Sequence, residues 1–284
     1  MSVVPVFSVA GAPGVTSVAC LLASTWDQSG PVAVIECDPS GGDLAPRFGL
    51  STTIGWPSLI SAVRRTGSST PVAPHLQHLP GGLPVLIGAV GGTPMAADTP
   101  EAEAVRNGIV GADGHGLVVI DLGRLPHGPE AGAGWLESGS CAVLVARDDP
   151  AAAVRVRSRA AELLERTGGR VGLVLVGGTA FSCRELADLT DLVPMGELPF
   201  DPASAAVATG ASGAGRRLER SHLLASVRRV GDAVSALAGT VGEVPAPSLS
   251  DAWHLVDAGH RPTVGAVRSA LERFGRRPRV DGAV

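Results

Sequence analysis

At 284 residues, with 45% apolar and 18% charged side chains, the chain is long enough to bury a large core, and its composition excludes a disordered polyelectrolyte. Its 38 glycines and 22 prolines predict many tight turns. The formal net charge of −4 is unevenly spread: residues 1–150 hold 6 Arg against 13 acids (−7), and residues 151–284 hold 17 Arg against 14 acids (+3). An anionic partner would therefore meet the C-terminal half.

All 23 basic residues are arginine, and lysine is absent. A chain rich in Ala, Gly, Val and Arg and devoid of Tyr is biased in composition, so the missing lysine is not functional by itself. Cys20, Cys37, Cys141 and Cys183 form no CxxC pair and mostly sit in apolar runs, the pattern of buried reduced thiols in a cytosolic protein. The N-terminal residues lack a basic leader segment, and no apolar run approaches the roughly 18 residues needed to span a bilayer. His75, His78, His115, His127, His222, His254 and His260 show no metal-ligand spacing.

In chain order, short apolar runs predict strands at Val3–Val9, Val32–Ile35, Val85–Ala89, Leu117–Ile120, Ala142–Ala146 and Val171–Val176. Runs this continuous suit strands covered on both faces. Apolar residues three and four apart predict helices at Ser17–Asp27, Pro150–Arg166, Ser182–Leu189 and Arg220–Leu237. The alternation predicts an α/β fold with a doubly wound, mostly parallel sheet flanked by helices. Residues 1–238 form its domain, 239–250 read as a Gly/Pro/Ser linker, and 251–284 as a short helical, basic C-terminal appendage.

Between the first strand and helix lies Gly11-Ala12-Pro13-Gly14-Val15-Thr16-Ser17-Val18. A strand, a glycine turn and a helix start bring main-chain N–H groups to one point, which suits phosphate. The simpler reading is a tight turn made by the glycines, with Thr16 or Ser17 capping the helix.

Three segments taken in order resemble the MinD/ParA family of P-loop ATPases. The first is this loop, set against the family's KGGxGK[ST]. The second is Val32-Ala33-Val34-Ile35-Glu36-Cys37-Asp38-Pro39-Ser40-Gly41-Gly42-Asp43-Leu44, which is similar to the family's second strand and switch I, DxDPxxGxL. The third, Gly116 to Gly123, is similar to the Walker B strand. Arg147-Asp148-Asp149-Pro150 and Val193 to Pro202 extend the likeness over residues 1–238.

The resemblance implies a nucleotide-binding loop at residues 11–18, and ATP and magnesium as cofactors. Asp38 would help position the attacking water, with Glu36 in place of the preceding Asp and Asp43 also in the switch. Asp121 would contact the magnesium water shell. In this alignment Ala12 takes the place of the signature lysine, Ser17 that of the Walker lysine, and Val18 that of the magnesium-binding hydroxyl. A one-residue shift puts Ser17 at the hydroxyl position and still supplies no lysine. Gly177-Gly178 replace an Asn that reads adenine in the family. Arg47, Arg124 and Arg147 are candidate substitutes for the missing cation.

Loss of a charge-assisted bond worth about 1.5–3 kcal/mol weakens nucleotide binding about tenfold to a hundredfold. It costs hydrolysis more, about 10³-fold or beyond. The expectation is a pseudo-ATPase, with ATP held weakly or not at all. It would act as a scaffold or regulator that positions a cargo: chromosome or plasmid, division septum, or pilus or secretion machinery. An active ATPase with an unusual phosphate loop and a protein-interaction module without nucleotide are the alternatives.

The family implies a homodimer with a protein partner. Arg216, Arg217, Arg220, Arg228 and Arg229 form either a surface for DNA backbone or an ordinary solvated helix face. In the tail, Arg268, Arg273, Arg276 and Arg277 flank Val264, Val267, Leu271 and Phe274; this stretch docks on the domain or a partner, or lies on a membrane. The expected location is the cytoplasm, with peripheral attachment to membrane or nucleoid as an option.

Overall fold

A computed structural model describes residues 2–11, 13–26, 30–67, 69–89, 99–109, 116–128, 134–177, 180–208 and 221–239. The linker and tail beyond Gly239 lie outside the described residues, as do Ala12, Gly178, Arg216, Arg217, Arg220, Arg268, Phe274, Arg276 and Arg277.

The strands are β1 (Ser2–Ser8), β2 (Val32–Glu36), β3 (Gln77–His78), β4 (Pro84–Leu86), β5 (Leu117–Arg124), β6 (Ala142–Arg147), β7 (Val171–Val176) and β8 (Val193–Leu198). They form one sheet in the order β3-β4-β2-β5-β1-β6-β7-β8. Every pairing is parallel except β3 with β4. Between them run α1 (Val15–Ser24), α2 (Leu44–Phe48), α3 (Trp56–Thr66), α4 (Pro100–Ile109), α5 (Trp135–Ser138), α6 (Pro150–Thr167), α7 (Cys183–Asp188), α8 (Pro202–Ala208) and α9 (His222–Gly239).

Strand alternation divides the core into two apolar clusters. Val4, Val6, Val34, Leu117, Val119 and Val143 pack beneath α1 and α9. Val3, Phe7, Ile35, Val118, Ile120 and Leu144 pack beneath α3, α5, α6 and α7. Burial on both faces explains why the strands read as continuous apolar runs instead of alternating ones. The predicted doubly wound sheet is thus the observed one.

Local chemistry sets the helix ends. The Asp149 carboxylate accepts from the Ala152 amide at 2.8 Å, Pro150 opens α6, and Gly168 ends it in the left-handed region. Ser182 and Glu185 form a capping box on α7. The helix expected over Ser17–Asp27 starts two residues earlier and stops at Ser24. Neither Thr16 nor Ser17 caps it: Gly14, at φ 95°, makes the entry turn. The four cysteines are free and buried. Among the described residues no helix is long and apolar enough to cross a membrane, and no His, Cys, Asp and Glu group is arranged to hold a metal.

Candidate functional site

The sheet order reverses direction at β1, since the chain crosses from β1 to β2 on one side and later from β5 to β6 on the other. The carboxyl ends of strands at such a reversal form a crevice suited to ligands. The loop after β1 sits there. The first α1 hydrogen bond runs from the Val18 amide to the Gly14 carbonyl at 2.9 Å. No side chain caps the helix, so the N–H groups of its first turn are left for an anion or water.

Asp121 fixes the register of this loop. Its carboxyl is fully buried on β5, and the Thr16 hydroxyl stands beside it. Oδ1 accepts from the Gly123 amide at 3.0 Å, while Oδ2 has no hydrogen-bond partner among the described residues. Burial pushes its pKa up to about 7. The Thr16 hydroxyl and Gly123 amide act the other way, and Glu36 and Asp38 add to the rise.

Thr16 is thus the hydroxyl that acts on the buried acid of β5. Val15 and Val18 are both buried in the apolar cluster that α1 closes. The residue directly before Thr16 is Val15, and a phosphate-loop pattern counted back from Thr16 as its hydroxyl begins at Ala10. No ammonium stands at either place.

Glu36 lies on β2 as the register partner of Asp121. Its Oε1 accepts from the Asp43 and Leu44 amides at 2.7 and 2.9 Å, and Oε2 accepts from the Gly88 amide at 2.8 Å. Its own carbonyl accepts from the Trp56 indole at 2.8 Å. Burial raises its pKa against the pull of these three amides. Asp38, half-buried, accepts from the Ser40 amide at 2.7 Å. It rests so close to Gly123 that any β-carbon there would overlap its carboxylate. Burial raises its pKa, Ser40 lowers it, Asp43 adds to the rise, and Arg124 opposes it. Asp43 itself is exposed at the start of α2.

The candidate substitute cations differ in placement. Arg124 is exposed at the end of β5 and acts on Asp38. Arg47 lies over the Phe48 ring and Arg147 over the Phe200 ring, each 5.4 Å from the centroid. Gly177 packs against Asp148 at the end of β7 and offers no side chain to a base. Arg228 and Arg229 are exposed on α9, with Arg229 donating to Ser226 Oγ at 2.9 Å.

Arg159 escaped the sequence reading. Only 2% exposed on α6, it donates to the Leu125 and Pro126 carbonyls at 3.1 and 2.9 Å and to both Glu162 oxygens. It thereby pins the loop that leaves β5. The sole sequence trace was the Arg159–Glu162 spacing, which is common on solvated helices.

No protein-family model matches the chain, and no curated protein matches it in sequence. Solved structures do match in fold. A ParA family ATPase from Chlorobium tepidum TLS is 14% identical at a TM-score of 0.60, over 83% of this chain and 98% of that one. The MinD cell division protein of Aquifex aeolicus is 14% identical at 0.61, over 87% and 100%. The septum site-determining protein MinD of Pyrococcus horikoshii OT3, complexed with Mg-ADP, is 16% identical at 0.54, over 86% and 99%. The chain has the MinD/ParA-like P-loop fold.

Proposed function

We propose that the chain is a non-hydrolysing positioning protein of the MinD/ParA type: a scaffold or regulator that places a cellular cargo and holds magnesium and ATP weakly. One observation carries this reading. The strand-end acid and its hydroxyl, Asp121 and Thr16, stand together, while Val15 occupies the position before the hydroxyl where an ammonium would meet the phosphates.

The residues fit half of a nucleotide site. The unpartnered Asp121 Oδ2 suits the water shell of a hard divalent cation, and the uncapped α1 amides suit phosphate oxygens. A bound magnesium ion would supply charge neutralisation there. The phosphate side is under-charged, and the carboxylates of Glu36, Asp38 and Asp121 oppose a polyanion. Binding by this chain's own residues is then weak, and transition-state stabilisation weaker still.

Similar structures include a MinC:MinD cell division complex and a putative plasmid partition protein bound to AMPPNP. They motivate cargo placement, a homodimer and a protein partner as the working class. A peripheral site at the nucleoid, by way of Arg228, Arg229 and their neighbours, or at a membrane, by way of the tail, belongs to the same proposal.

An active ATPase is the second reading. It is favoured by Arg124, whose charge already acts on Asp38, although a guanidinium differs from an ammonium in geometry. Calorimetric titration with ATP and magnesium, paired with phosphate release, separates the readings. Weak binding without turnover supports the first. Turnover that disappears in Asp121→Ala replaces it with the second, and silence in both assays leaves an interaction module without nucleotide.

A further inference from the structure

The segment from Cys37 to Asp43 leaves β2 and returns to the start of α2 as an arch that meets β5 at Gly123. At its far end the Asp43 and Leu44 amides both donate to Glu36, the last residue of the strand from which the arch departs. The same carboxylate takes the Gly88 amide beyond β4, and its backbone carbonyl takes the Trp56 indole at the start of α3. One buried residue thus joins four segments. Two glycines make room for it, since a β-carbon at Gly42 would overlap the Glu36 carboxylate and one at Gly88 would press on it. Inside the arch, Asp38 is held by the Ser40 amide and rests against Gly123.

We propose that Glu36 is a positioning residue: its carboxylate closes the arch and so fixes where Asp38 stands opposite Gly123. The arch follows from the geometry alone; its consequence for a ligand rests on the nucleotide reading above. The carboxylate accepts all three amides, whereas a carboxamide in its place turns an NH2 toward N–H donors and loses at least one bond. Facing Glu36 are Asp121 of β5, Asp43 at the start of α2, Cys20 of α1 and, at its own strand exit, Cys37. Arg47 acts on Cys20.

The test is amide exchange on the full chain at about pH 7, for the wild type, Glu36→Gln and Gly42→Ala, with β7 as internal reference. Gly42→Ala displaces the carboxylate without removing its charge, and it carries the test if Glu36→Gln does not fold. Expected is exchange at Asp43, Leu44 and Gly88 faster by about tenfold in each variant, as loss of a buried charged acceptor implies, with β7 unchanged. Unchanged arch exchange, or equal acceleration in β7, overturns the proposal. Titration with magnesium and ATP then distinguishes the two readings. A loosened arch in a wild-type-folded variant, with no binding by the wild type, upholds the arch and overturns the nucleotide reading. Wild-type binding that Glu36→Gln leaves unchanged overturns the positioning role.

Discussion

Glu36 and Asp121 are register partners on β2 and β5, so two buried carboxyl groups stand side by side at the strand ends beneath α1. Each raises the proton affinity of its neighbourhood, and neither has a cation paired to it among the described residues. Asp121 holds its proton to about pH 7 in the folded chain, whereas an unfolded Asp releases it near about pH 4.

Stability should therefore fall as pH rises through that window. Between the two values the folded state binds more protons than the unfolded state, and unfolding becomes easier as pH increases. The full effect, reached above about pH 7, is about 4 kcal/mol for a wholly buried group. Urea denaturation from pH 4 to pH 8 measures it. Asp121→Asn should flatten most of the slope; a wild-type profile that is already flat contradicts the burial argument.

Restoring the ammonium tests the register of the loop. Val15→Lys should tighten binding of ATP with magnesium by about tenfold to a hundredfold, the worth of one charge-assisted bond to phosphate. Ser17→Lys, one position beyond Thr16, should bring no such gain. Calorimetry on both variants decides between the two alignments. Equal gains would return the lysine position to an open question.

Arg159→Met removes the two bonds to the Leu125 and Pro126 carbonyls and leaves both buried oxygens without that donor. A loss of about 2–4 kcal/mol in unfolding free energy is expected. Glu162→Gln should cost less than about 1 kcal/mol, because that carboxylate is 40% exposed and screened by water. Chemical denaturation of both variants measures the contrast, and similar losses would mean that the ion pair, not the carbonyl clamp, matters.

Trp56→Phe keeps the apolar filling of α3 but deletes the indole donor to the Glu36 carbonyl. The expected cost is about 1–3 kcal/mol for a buried acceptor left unpaired. Thermal unfolding reads it directly.

Much of this molecule was visible in its residues. Continuous runs such as Val171–Val176 and Leu117–Ile120 can only be strands covered on both faces, and Asp149-Pro150 or Ser182 with Glu185 announce helix starts through local capping chemistry. Asp38 follows β2 and Asp121 lies within β5; the family resemblance, not their spacing, associated them with the loop after β1. Period, capping and turn chemistry are short-range, so sequence determines them.

What sequence left open depends on contacts between distant segments. Whether Val15, Ser17 or neither stands in the lysine position follows from which hydroxyl meets Asp121, a matter of how α1 docks on β5 across about a hundred residues of chain. Glu36 looked like a conservative replacement for an Asp. Its extra methylene acquires meaning only where Asp43, Leu44 and Gly88 converge on it. Arg159 carries no sequence signal beyond its spacing to Glu162, and its contacts with Leu125 and Pro126 make it a clamp. Local propensity determined the elements and their order; burial and the satisfaction of main-chain polar groups, which exist only once the sheet is assembled, decided which of their side chains make the site.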